Sequence, residues 1–438
     1  MAIVQEQEEF RQIVVENFFR TQVIRERKDR EKYNARYTES FRSAFDALEV
    51  KNYTEAQRQG KRLKRKCFLW LLYAEFKFYN EVFKKRMPNS NELAPVFGCT
   101  EKNFAKFLGK VQEKLPKNKF AAKSYNGFTA FKEQEAHYKT LSIKNIAVCA
   151  TMSAGKSTFV NALLGRDVLP SRNEATTAKI TSVYDKDGSS RMVGFVQKRG
   201  GEVAEKNADV HLVTIDSWNS SSDVSRIYLQ GDLDGIGNKG IIAAMHDTPG
   251  TNNSGDKSHH DVTLQFLKEN KMDALIFIAN AEQLCTTDER DLLSELLKNV
   301  VLPNKTPVFF VLNKADAIDP EKEGLDDSIS GYKKYLSELG FSSPAVFPVS
   351  AKAARLLKMA RNGRTTDFTS REARAFDALY SEFSELHDFS GSDAPASAEP
   401  AISGTVCVGK NEYSLATVAN ALERTGLPRV EQYIEQLF

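Results

Sequence analysis

A chain of 438 residues, 41% hydrophobic and 27% charged, is long enough for two or three domains with real cores and too apolar to be disordered. Its five cysteines (Cys67, Cys99, Cys149, Cys285 and Cys407) form no CxxC pair and have no histidine at ligand spacing. That argues against a disulfide or zinc framework and points to a reducing, cytoplasmic setting. The net charge of +3 is unevenly spread: residues 1–140 hold 29 Lys and Arg against 18 Asp and Glu, and the remainder holds 32 against 40.

The first 140 residues read as an all-helical domain. Glu, Arg, Lys and Gln dominate, and Gly and Pro are scarce before Pro88. Phe10, Ile13, Val14 and Phe18 recur at helical spacing as one apolar stripe. The run KRLKRK at 61–66 leads into CFLWLLYAEFKFYNEVF at 67–83, which is apolar almost all round. This is the pattern of a buried bundle helix, with a membrane or partner anchor as the alternative. Breaks at Pro88–Asn89 and Gly98 precede a shorter helix near 101–114. The basic surface is either a solvated helix face or a docking face for acidic lipid, nucleic acid or an acidic protein. MAIVQEQEEF has none of the features of a signal peptide, no apolar run reaches the roughly 18 residues of a membrane span, and no lipidation motif is present.

From residue 141 the pattern changes to short β-rich runs separated by helical stretches. Strands are expected at Asn145–Ala150, Ile180–Asp185, Met192–Gln197, Ile241–Asp247, Ala274–Asn280, Val308–Asn313 and Val346–Ser350, with helices at 157–164, 261–269, 287–298 and 328–339. Apolar strands alternating with helices imply an α/β fold, a doubly wound and mostly parallel sheet covered on both faces. Residues 387–405, rich in Ser, Ala, Pro and Gly, read as a flexible insertion, and the chain closes on a helix within TGLPRVEQYIEQLF.

Four segments in this half carry chemistry. The first is SAGKST at 153–158, following the strand run AVCA. It keeps the second half of the phosphate-binding pattern G-x-x-x-x-G-K-[ST], although the first glycine is Ala150. Gly155 lets the backbone approach phosphates, and N–H groups around Ser153, Ala154, Gly155, Lys156, Ser157 and Thr158 add to the positive end of a helix. Lys156 is placed to reach β- and γ-phosphates and Ser157 to bind Mg²⁺. The second is ATTAKIT at 175–181, where Thr177, in preference to Thr176, would complete the Mg²⁺ shell and help hold the attacking water. The third is DTPG at 247–250: Asp247 at a strand end could hold Mg²⁺ through water, and the Gly250 N–H could meet the γ-phosphate. The fourth is NKAD at 313–316. Asp316 can accept from the N1–H and 2-amino groups of guanine, donors that adenine lacks, a mismatch able to discriminate by ~10⁴-fold. Asn313 and Lys314 would brace the loop and base, and Ser350-Ala351-Lys352 stands at a further strand end where an N–H could meet the guanine oxygen. The order and spacing of these segments identify a P-loop GTPase binding GTP and GDP with Mg²⁺.

The chain also resembles the dynamin-like large GTPases, bacterial ones especially. The resemblance lies in SAGKSTFVNALLG (153–165), LPSRNEATTAKIT (169–181), HDTPGTNNS (246–254), VLNKADAID (311–319) and TGLPRVEQYI (425–434), and it covers about 145–438. It implies a neck-like helical bundle over 1–140, a dynamin-type GTPase domain over 141–438, catalysis involving Lys156, Ser153 and Thr177, and activation when two GTPase domains associate across their nucleotide faces. It further implies membrane remodelling or peripheral association with an acidic membrane. Three departures stand out. Ala150 replaces the family's first glycine. Met152 sits where dynamins often have Gln, and Thr251 stands where Ras-like proteins place a water-positioning Gln. The sequence also ends near the close of the GTPase fold, so it is either the front of a longer protein or one that works without a stalk. A regulatory GTPase switch whose basic helical domain binds RNA, ribosome, DNA machinery or a protein is the competing reading. A nucleotide-bound scaffold with little catalysis is the third.

Overall fold

The computed structural model describes residues 6–14, 31–63, 65–119, 121–170, 179–249, 257–318, 324–391 and 402–438. The chain divides into two compact units, Met1–Thr140 and Leu141–Phe438.

The first unit is helical among its described residues: 6–14, Glu31–Glu49, Tyr53–Arg62, Lys66–Val82, Ser90–Val96, Glu101–Lys114 and Ala122–Tyr138. The apolar stripe at its start is seen in part, with Phe10 and Ile13 buried and Phe18 outside the described residues. Helix Lys66–Val82 is apolar all round because it is covered on more than one side. Leu71, Leu72 and Phe76 enter one cluster with Phe41, Leu93 and Val111. Phe78 and Val82 pack with Phe83 and Phe131 on another side. Each such side chain withdrawn from water contributes about 1.5–3 kcal/mol. Rings of Tyr73, Phe97, Phe104 and Phe107 meet edge-on or stacked at centroid separations such as 5.4 Å for Tyr73–Phe97 and 5.8 Å for Phe104–Phe107. Among the described residues no helix is long and apolar enough to cross a membrane.

The second unit is built on nine strands: β1 (Ser142–Ala150), β2 (Ile180–Asp185), β3 (Val193–Lys198), β4 (Val203–Asn207), β5 (Val224–Gly231), β6 (Ile241–Asp247), β7 (Ala274–Asn280), β8 (Val308–Asn313) and β9 (Ala345–Val349). Their order in the sheet is β4-β3-β5-β2-β6-β1-β7-β8-β9. The run from β6 to β9 is parallel throughout. β2 joins β6 antiparallel, β5 runs parallel to β2, and β3 and β4 continue antiparallel. The fold is therefore α/β with a large, mostly parallel sheet. The carboxyl ends of β1, β6, β7 and β8 all lie at one end of it, where such sheets bind ligands.

Several elements depart from the sequence expectation. β4 and β5 lie outside that expectation: β4 is half-buried with Glu205 and Lys206 exposed, and Ser225–Arg226 interrupts the apolar run of β5. Helices Ala351–Arg361, Ser370–Glu385 and Leu415–Glu423 were likewise unread. Within 387–405, residues 392–401 lie outside the described set. The flanks are ordered. Phe389 is buried and its N–H donates to the Arg424 carbonyl at 2.8 Å, and Thr405–Val408 pairs with Asn411–Ser414 as the two-stranded ribbon β10–β11. Helix Leu427–Gln436 closes the chain.

Candidate nucleotide site

β1 delivers the chain to a loop that turns directly into helix Lys156–Leu164. Ala150 is extended strand, 2% exposed, so the position where a glycine is usual makes no demand for one. The unusual backbone falls later. Ser153 has φ +61° and Gly155, at the helix N-cap, has φ +88°. A Cβ on Gly155 would overlap the Asn313 amide nitrogen, so close approach and left-handed backbone both require glycine there. The first N–H groups of the helix have no intrahelical acceptors and carry the positive end of its dipole.

Lys156 turns its ammonium onto Asp247, at the end of β6, in a buried ion pair. Burial pushes the Asp247 carboxyl upward, against the opposing pull of the Lys156 charge and the nearby Ser157 hydroxyl. Its second oxygen, Oδ2, is buried without a hydrogen-bond partner. Thr248 Oγ1 donates to the Val148 carbonyl at 2.9 Å, and Thr263 Oγ1 to the Pro249 carbonyl at 3.2 Å, so the residues after β6 are fixed to β1 and to helix Lys257–Glu269. His246, beside Asp247, is buried between Ser182 Oγ (2.9 Å from Nδ1) and Asn145 Oδ1 (3.0 Å from Nε2). Burial, reinforced by the Arg226 charge, lowers its pKa to about 3, so the ring is neutral.

Asn313, at the end of β8, joins two loops with one side chain. Its Nδ2 donates to the Ala154 carbonyl at 2.7 Å, and its Oδ1 accepts from the Ala351 N–H at 3.0 Å. Lys314 follows in left-handed backbone, φ +62°, and reaches Glu282 at 2.8 Å. Asp316 lies half-buried in the single turn Ala315–Ala317. Ser350 is buried, donates its N–H to the Thr425 carbonyl at 3.1 Å and caps helix Ala351–Arg361 by accepting from Ala353 N–H at 3.4 Å. Lys352 is exposed in that helix's first turn.

Lys156, Ser157 and Asp247 thus converge, and Asn313 ties Ala154 to Ala351. Met152 and Ser153 are exposed on the loop, and Thr158 is half-buried. Thr176, Thr177, Gly250 and Thr251 lie outside the described residues. The two sides of the segment carrying the threonines are nevertheless defined. Asn161 Oδ1 accepts from the N–H groups of Val168 and Leu169 at 3.1 and 2.9 Å, while Lys179 donates to the carbonyls of Trp218 and Asn219 at 2.7 and 2.9 Å. Thr181, the last residue of ATTAKIT, pairs across the sheet with Asp247. Asn161, Lys179, Thr248 and Glu282 are the supports that sequence reasoning missed. A polar Asn161 amid the apolar FVNALL run was the one visible signal.

Residues 146–315 match the model of the Dynamin family. A protein of Caldicellulosiruptor sp. (strain Rt8B.4), described as an uncharacterized protein in the xynA 3' region, is 25% identical over 258 residues, covering 59% of this chain and 55% of that one. The bacterial dynamin-like protein of Nostoc punctiforme is 27% identical over 228 residues, covering 48% of this chain and 31% of that one. The chain spans about half or less of the curated relatives it matches. Among solved structures, one described as an oligomerised bacterial dynamin pair superposes with a TM-score of 0.39 at 18% identity, covering 78% of this chain and 57% of that one.

Proposed function

We propose that this chain, whose residues 146–315 match the Dynamin family model, is a dynamin-like GTPase that binds GTP and GDP and hydrolyses GTP to GDP. The observation that carries this reading is the Asn313 side chain, which ties the loop after β1 to the loop after β9 beside the Lys156–Asp247 pair. Phosphate-type and base-type segments thereby stand at one end of the sheet.

On this reading the γ-phosphate draws the Lys156 ammonium away from Asp247. The phosphate would then replace Asp247 as the anion that offsets a cation at a helix N-terminus. Asp316 selects guanine, and Ser350, Ala351 and Lys352 close on the base from the other side. The residues fit a small hard cation: a buried carboxylate oxygen without a donor, beside a hydroxyl. Mg²⁺, held by Ser157, Asp247 and Thr177, would neutralise charge on the β- and γ-phosphate oxygens. Thr177 and Gly250 would contact the γ-phosphate, with Ser153 part of the loop face that meets a second GTPase domain. Self-association would then exclude water and raise turnover. Peripheral action at an acidic membrane from the cytoplasm is the working role, served by the basic residues 1–140.

Calorimetry with GTP, GDP and ATP tests the core of this proposal. Binding of both guanine nucleotides and none of ATP is expected, and equal affinity for ATP and GTP would overturn it. Turnover measured over a hundredfold range of protein concentration tests activation. A rising rate per molecule supports pairing, and a flat rate rejects it. Stimulation by acidic liposomes supports the membrane role, whereas stimulation by RNA alone would transfer the basic surface to the regulatory-switch reading.

A further inference from the structure

A second polar site stands at the opposite end of the sheet. Because β2 runs antiparallel to β6, its last residue, Asp185, and the turn after it lie where β6 begins. β5 runs parallel to β2 with Gly231 beside Asp185, so it delivers Asp232 and Asp234 to the same end. Helix Lys156–Leu164 runs back from the phosphate loop and brings Arg166 there, one residue past the glycine at its C-cap. A cavity of about 250 Å³ opens among these pieces, lined by Arg166, Ser189, Ser190, Asp232, Asp234 and Arg364, among others.

Arg166 is only 9% exposed. Its Nη2 donates to the Ser189 carbonyl at 3.1 Å, but its Nε is buried with no partner. An unsatisfied buried donor of this kind is costly, more so when charged. Arg364 adds a second guanidinium of the same sign to the lining. Burial, followed by the Arg364 charge, brings the Arg166 pKa down to about 10. Asp232, Asp209 and Asp234 act on Arg166 in the opposite sense, but burial and Arg364 outweigh them. Asp234 is committed to Arg361 and to Asn362. Asp232 accepts from the Gly188 N–H at 2.9 Å, and burial raises its carboxyl above the ordinary range. A hydroxyl on a ligand would suit Asp232 as donor, while planar guanidinium forks suit an oxyanion.

We propose that this cavity binds a small hydroxylated oxyanion, a phosphate or phosphomonoester, between Arg166 and Arg364 and apart from the nucleotide site. The test is titration calorimetry of the full chain with inorganic phosphate and with glycerol 3-phosphate, repeated in Lys156→Met so that the phosphate loop lacks its cation. Saturable binding is expected to survive in Lys156→Met and to weaken at least tenfold in Arg166→Gln and in Arg364→Ala. The half-exposed Arg364 keeps the test open if the buried substitution fails to fold. Tighter binding of glycerol 3-phosphate identifies an ester as the ligand class, and equal affinities identify the free oxyanion. The proposal is overturned if neither probe binds saturably. It is equally overturned if binding vanishes in Lys156→Met and persists unchanged in Arg364→Ala.

Discussion

Helix Lys156–Leu164 has a buried lysine–carboxylate pair at each end, and the two pairs are opposite in character. At the N-terminus, Lys156 meets Asp247 where the helix dipole opposes a cation, and Asp247 keeps one oxygen without a partner. Near the C-terminus, Lys358 meets Glu431 and also donates to the Leu163 carbonyl at 3.2 Å, where the dipole welcomes a cation. Both pairs are almost wholly withdrawn from water, Lys156 and Asp247 at 8% and 0% exposed and Lys358 and Glu431 at 1% and 5%. Burial alone therefore does not separate a pair with a spare acceptor from one that holds helices together. The unsatisfied oxygen and the local dipole do.

Neutralising each lysine should pull the two ends apart experimentally. Lys156→Met is expected to lower GTP hydrolysis by about 10²–10³-fold or more, with a smaller stability loss because the cation it removes is one that the helix dipole disfavours. Steady-state turnover alongside thermal unfolding reads both. Lys358→Met should do the converse. It strands Glu431 and a helix carbonyl, a loss of about 3–5 kcal/mol, and the folded fraction should keep its rate per molecule. If denaturant unfolding shows the two variants equally destabilised, the contrast fails.

Asn313→Ala probes the N-terminal end through a neutral group. It orphans the Ala154 carbonyl and the Ala351 N–H, and a cost of about 1–3 kcal/mol is expected. Nucleotide affinity should fall in parallel, and stability loss with intact GDP affinity would contradict the bridging role. The smallest effect concerns pH. His246 ordinarily titrates near 6.5 and here near 3, so the unfolded chain takes up its proton first. Its contribution is complete above pH 6.5 and is lost as pH falls toward 3. His246→Gln should flatten the acid limb of a melting-temperature profile without altering the curve above pH 7.

Apolar runs made most of the parallel sheet legible, since β2, β6, β7 and β8 are buried nearly end to end and read as such. β4 and β5 escaped because edge exposure and a Ser-Arg interruption erase the pattern. In the site, the motif residues stand out one segment at a time. Their mutual contacts do not, because pairing between positions 91 residues apart (Lys156 with Asp247) or 159 apart (Ala154 with Asn313) depends on topology. Ala150 looks like a defect in the motif and is harmless in the strand. The conformational demand that a reader would assign to it falls on Ser153 and Gly155.

The Asn313 bridge also bears on how a guanine nucleotide would leave. One amide ties the loop after β1 to the loop after β9, so on the proposed reading the phosphate and base sides would loosen together. Release should then proceed as a single opening event, with base and phosphates surrendered together. A factor that speeds exchange would need to press on only one of the two loops. Measured dissociation of GDP should accordingly follow one exponential, and Asn313→Ala should split it into two.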